Sequence, residues 1–95
     1  MTALHDNEQA RRFEQDFTAA DGRLARVFCD YAVASGHRIL LHVEAEPALR
    51  GSGAAGRFME ALAVHARAHG LTLRPACSYA VAWFRRRPEY SDILD

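Results

Sequence analysis

Leu49-Arg50-Gly51-Ser52-Gly53-Ala54-Ala55-Gly56 sets three glycines within six positions, just after an apolar stretch and just before a long amphipathic one. Such a run suits one kind of chemistry, the holding of an anion by backbone. Glycines turn tightly, adopt positive φ and let a ligand come close to the chain. The amides of Gly51, Ser52, Gly53, Ala54, Ala55 and Gly56 then sit at a helix start, where N–H groups and the helix dipole favour a phosphate, and Arg50 adds a fixed positive charge. The same pattern also serves a helix start that binds nothing.

The elements that position this turn follow from periodicity. Residues 11–18 carry Phe13 and Phe17 at even separation and read as an edge strand; Asp21-Gly22 marks the turn that follows. Residues 24–32 form a second strand, with Ala25, Val27, Cys29 and Tyr31 on the face to be buried. After the turn at Ala34-Ser35-Gly36-His37, residues 38–44 are apolar enough for a central strand, which completes an antiparallel meander. The helix after the glycine turn presents Ala55, Phe58, Met59, Leu62, Ala66 and His69 on one side and Arg57, Glu60 and Arg67 on the other, and Gly70 ends it. A short strand at 71–75 follows, and a crossover of this length permits it to lie parallel to strand 38–44. A short helix at 79–87 is stopped by Pro88, and Tyr90, Ile93 and Leu94 pack the tail. The expected class is therefore α/β (α+β) with a mixed sheet, in one domain over residues 1–95 whose first ten residues are polar and loose.

Bulk composition narrows the classes. Ninety-five residues, 49% of them hydrophobic, suit one folded domain. Twelve basic and twelve acidic residues cancel, so nothing in the total charge asks for nucleic acid or an anionic membrane as partner. No apolar stretch nears the roughly 18 residues that span a bilayer, and the polar start lacks a secretory signal's apolar segment, which points to the cytoplasm. Two cysteines, Cys29 and Cys77, have neither the number nor the spacing of a zinc site; His65 and His69 have ligand spacing but no third ligand nearby.

The chain resembles the GNAT superfamily of acyl-CoA-dependent N-acetyltransferases, and within it the compact members of roughly ninety residues. Arg50, Gly53 and Ala55 match the Gln/Arg-x-x-Gly-x-Gly/Ala turn, His42 and Glu44 a His-x-Glu strand end, and Pro75, Cys77 and Tyr79 a Pro-x-Cys-x-Tyr segment. Pro88, Glu89, Tyr90, Asp92, Ile93 and Leu94 match the closing tail. Ser52 departs from the pattern, standing where an arginine, lysine or glutamine is usual; its hydroxyl adds one hydrogen bond to a phosphate and no charge. Glu46-Pro47 shifts a proline, and Val43 and Ala45 replace a usual threonine and valine at the acyl end.

The resemblance implies a GNAT-like fold, acetyl-CoA or coenzyme A as cofactor on the turn 50–56, and a pantetheine arm lying between strands 38–44 and 71–75 where they part. It implies transfer to a primary amine on a small molecule or a protein. Cys77 would be a nucleophile, its thiolate favoured by a helix start, or a small buried residue. His42 would take the amine's proton, or be structural. Glu44 would bind a cationic amine or relay a proton, or face solvent. Tyr79 would donate to the thioester sulfur or pack against the arm. Arg85, Arg86 and Arg87 suit phosphate but cannot all face one ligand, and a solvated face is their default. All twelve basic residues are arginine, so a lysine acceptor must come from a partner. A non-catalytic acyl-CoA-binding module or sensor would carry the same turn, and oligomeric state is left open.

Overall fold

A computed structural model of the protein describes residues 2–95. Five strands form one sheet in sequence order: β1 (His5–Asn7), β2 (Arg12–Thr18), β3 (Leu24–Ala34), β4 (His37–Ala45) and β5 (Thr72–Pro75). Neighbours are antiparallel from β1 to β4, and β5 runs parallel to β4 after the crossover through helix α1 (Ala54–Ala68). Helix α2 (Ser78–Arg85) and a 3₁₀ turn at Pro88–Ile93 complete the chain. The mixed sheet, the meander and the parallel crossover are those expected from the sequence.

Local chemistry sets the joints. The β3–β4 hairpin closes through Ser35 and Gly36 at φ +52° and +79°, the double positive φ of a type I′ turn that matches strand twist. At the end of α1, Gly70 has φ +65°, the Leu71 amide reaches the Ala66 carbonyl at 2.8 Å and the Gly70 amide reaches that of Arg67 at 3.4 Å, a Schellman stop.

The core lies between one face of the sheet and α1. Phe13 and Phe17 of β2, then Ala25, Val27, Cys29 and Tyr31 of β3, meet Phe58, Met59, Leu62 and Ala66 of α1, while Trp83, Phe84, Tyr90 and Ile93 close one end. Each large apolar side chain removed from water there stabilises the fold by about 1.5–3 kcal/mol. The strand alternation read from the sequence is thus correct for β3.

The structure corrects four expectations. Within the segment taken as loose, His5–Asn7 pairs with Arg12–Glu14 because Asp6 accepts from the Tyr31 hydroxyl at 2.6 Å and from Arg38 at 2.7 Å; residue 1 lies outside the described residues. With β1 outboard, β2 is interior rather than an edge. On α1, Ala54 and Ala63 take the buried places assigned to Ala55, which is half-buried, and His69, which is exposed and stacked on His65 at 4.1 Å. Finally, β4 is not regular. Asp30 pairs with His42 while Tyr31 pairs with Leu40, so Leu41 is bulged out of the ladder and resets the side-chain alternation.

Candidate cofactor and transfer site

The glycine turn is held by its own atoms. The Ser52 amide and hydroxyl both donate to the Leu49 carbonyl, at 3.1 and 2.6 Å, and the same hydroxyl oxygen accepts from the Ala54 amide at 3.2 Å. The Arg57 guanidinium folds back to the Ser52 carbonyl at 3.0 Å. Gly51 and Gly53 stand at φ +77° and +79°, where an L side chain is strained. In this arrangement the Ser52 hydroxyl donates to Leu49 and braces the turn. It also occupies the Ala54 amide, and the Ala54 side chain is in the core. The amides of Gly53, Ala55 and Gly56 have no acceptor among the described residues, as the first turn of a helix requires. Arg50 and Gly51 are exposed.

Between the turn and α2 lies a cavity of about 350 Å³, lined by Gly53, Gly56, Tyr79, Ala82, Trp83, Arg86 and Arg87. The arginine triplet divides here. Arg86 and Arg87 face this cavity, whereas Arg85 turns to an apolar groove with Pro75, Val81, Phe84 and Leu94. Burial pushes the Tyr79 hydroxyl above its ordinary pKa, with Arg87 and Arg86 pulling the other way.

The lining of this cavity has the charge and the room to suit an anion. Gly56 lies inside α1 without positive φ, and a Cβ built there meets no atom within 4 Å. Neither backbone conformation nor packing needs a glycine, which costs a helix interior about 0.5–1 kcal/mol against alanine. What its missing side chain does provide is room beside free amides and two guanidinium groups.

Beyond this cavity the sheet parts. The β4–β5 pairing stops at Leu40 and Pro75, and the Leu40 carbonyl accepts from the amides of both Ala76 and Cys77, at 2.9 and 3.1 Å, as the chain leaves the sheet. Residues 41–45 therefore continue without a β5 partner. Cys77 caps α2, its Sγ accepting from the Ala80 amide at 3.4 Å, and its side chain packs against the core. Cys29 lies deeper, and burial pushes its thiol up to about 12, the nearby Cys77 adding to the effect and the His42 amide opposing it.

His42 and Glu44 project from the other face of the sheet. Nε2 of His42 stands 3.1 Å from Oε1 of Glu44, and the two side chains are 56% and 59% exposed. Phe28 of β3 lies beside them, its ring centroid 6.3 Å from that of His42 and capped on its other side by the Arg12 guanidinium at 3.8 Å. No hydrogen bond or ion pair joins Cys77 to His42 or Glu44 among the described residues. The structure thus gathers the sequence-derived residues into two groups, turn with Tyr79 and His42 with Glu44, and leaves Cys77 on the core side of the gap.

Reading the sequence missed the cavity wall of Trp83, Arg86 and Arg87 as a unit. The signal was present: Tyr79, Ala82, Trp83 and Arg86 follow i, i+3, i+4, i+7 spacing, one stripe of a helix. Among the described residues no group of three His, Cys, Asp or Glu side chains is placed to hold a metal ion, and no helix is long and apolar enough to cross a membrane.

A family model described as GCN5-related N-acetyl-transferase matches residues 12–93, from β2 through the final 3₁₀ turn. No curated protein matches the chain.

Proposed function

Since the chain belongs to the GCN5-related N-acetyl-transferase family, we propose that it transfers an acetyl group from acetyl-CoA to a primary amine. The observation that carries the reading is Gly56, whose empty side-chain position opens a cavity walled by two arginines at a helix start. Acetyl-CoA, when bound, supplies the activated carbonyl that the amine attacks.

The chain's residues then have separate tasks. Amides of Gly53, Ala55 and Gly56, with Arg86 and Arg87, bind the diphosphate. Tyr79 packs on the wall of the same cavity. The backbone of 41–45 on the side that β5 leaves without a partner orients the donor's extended arm, and confinement beside an amine supplies much of the rate gain such a transfer needs. His42 takes the proton from the attacking nitrogen at Nδ1, while Glu44 accepts from Nε2–H and holds the imidazole in that tautomer. The acceptor approaches on the open face of the sheet, where Phe28 and the His42–Glu44 pair stand. Cys77 lines the donor side of the gap as helix cap, and a direct transfer to the amine needs no acyl-enzyme.

The test incubates the protein with acetyl-CoA and amines, including lysine-bearing peptides and small polyamines, and follows thiol release with intact mass of protein and acceptor. The reading requires acetylated amine, turnover lost in His42→Ala with coenzyme A binding kept, and no acetyl adduct on Cys77. A protein that binds coenzyme A yet acetylates none of these amines is a binding module instead.

A further inference from the structure

Arg87 lines the cavity beside the glycine turn and forms no ion pair among the described residues. An aromatic ring holds it instead. The guanidinium lies over Trp83, 4.2 Å from the ring centroid, and Nη1 donates to the Trp83 carbonyl at 3.5 Å. A ring face takes up no N–H, where a carboxylate would compete with a phosphate for them. The ring can serve in this way only if it stays in place.

Tyr90 of the closing 3₁₀ turn keeps it there. Both side chains are buried, and their rings stack with centroids 5.8 Å and planes 21° apart. Tyr90 is in turn tied to α1: its hydroxyl donates to Oε1 of Glu60, and the Arg67 guanidinium lies over its ring at 5.0 Å. Arg67 also pairs with Asp92 and donates to the Glu89 carbonyl at 2.8 Å, which fixes the turn on either side of Tyr90. The Tyr90 amide, finally, donates to the Arg87 carbonyl at 3.1 Å. Helix α1 carries the free amides of the cavity at its start, and α2 carries Trp83; Tyr90 braces one helix against the other.

Resting on the reading that this cavity holds the donor's diphosphate, we infer that Tyr90 is a positioning residue for donor binding: it fixes Trp83, and Trp83 holds Arg87 ready for the ligand. An arginine loses much rotamer freedom when it grips a phosphate, and here that loss is taken during folding, before the ligand arrives. The closing turn thereby contributes to affinity without touching the donor.

Calorimetric titration with coenzyme A tests this on the wild type, Tyr90→Leu, Arg87→Gln and the double variant. Arg87→Gln should weaken binding about tenfold, the scale of one charge-assisted contact, and Tyr90→Leu about fivefold. The double variant should bind no worse than Arg87→Gln alone, because Tyr90 acts only through that arginine. Tyr90→Leu should also raise KM for acetyl-CoA at unchanged kcat and shift to the red the emission of Trp83, the chain's one tryptophan. Glu60, which is exposed, allows the same test without a change in the core. Glu60→Ala frees the Tyr90 hydroxyl and should weaken coenzyme A about threefold, whereas Glu60→Gln still accepts from it and should bind as the wild type does. Additive losses in the double variant, or wild-type affinity in a folded Tyr90→Leu, overturn this inference; if Tyr90→Leu does not fold, wild-type affinity in Glu60→Ala overturns it. Those outcomes leave the diphosphate site standing. Wild-type affinity in Arg87→Gln, or no binding by the wild type, overturns both.

Discussion

His42 and Glu44 meet at 3.1 Å on the open face of the sheet because Leu41, between Leu40 and His42, is bulged out of the β3–β4 ladder. Were Leu41 paired regularly, alternation would send both polar side chains towards the core. Deleting Leu41 removes the bulge while keeping every face, since Leu40 and His42 already pair with adjacent residues of β3. The variant is expected to fold with a melting temperature near that of the wild type. Its acyl transfer should fall about a hundredfold, the usual consequence of a small misplacement at a reacting centre. Parallel melts and steady-state rates check this, and unchanged turnover would show that the bulge has no part in transfer.

Gly56→Ala sets stability against binding. The substitution is free of φ strain and meets no neighbour, so unfolding in denaturant should show a gain of about 0.5–1 kcal/mol. The added methyl enters the cavity beside the free amides, and affinity for coenzyme A should drop. Tighter or unchanged binding would mean that the ligand does not use this space.

Cys77 caps α2 through its sulfur, a contact that serine reproduces and alanine cannot. Cys77→Ser should keep the protein's stability, while Cys77→Ala should cost about 0.5–2 kcal/mol by denaturant melts. If both variants also turn over acetyl-CoA, the thiol has no covalent part in the reaction.

The two thiols differ in reach. With Cys29 buried and its pKa near 12, maleimide at pH 8 should give the native protein a single adduct, on Cys77, and a second only in guanidinium. Intact mass reads the count directly, and rapid double labelling without denaturant would contradict the packing around Cys29.

His65 makes stability depend on pH. Burial lowers its pKa below the ordinary 6.5, as does His69; Asp6 opposes them, and Arg38 acts with them. Protonation is thus harder in the folded protein than in the unfolded chain. The stabilising contribution is complete above 6.5 and is lost as pH falls towards the folded value. Relative to His65→Asn, the wild type should lose melting temperature between pH 7.5 and 5.5; superposable pH curves for the two would refute the assignment.

Much of this was legible in the sequence for local reasons. The buried face of β3 follows from alternation within one strand, and the glycine turn from residues that only turns favour. Leu41 was hidden because a bulge is decided across the ladder. β1 was hidden because His5, Asp6 and Asn7 have little strand preference and are fixed by Tyr31 and Arg38, far along the chain. The brace that Ser52 makes to the Leu49 carbonyl was hidden because it depends on where the turn places that carbonyl.

The parting of β4 from β5 after Leu40 gives the protein a strand edge between the last two strands of its sheet. Edges at the rim of a sheet are templates on which other chains add strands and aggregate. This edge is instead followed by the chain's own turn into α2, which leaves little length on which another strand could add. The fold thereby keeps short what is ordinarily an aggregation hazard.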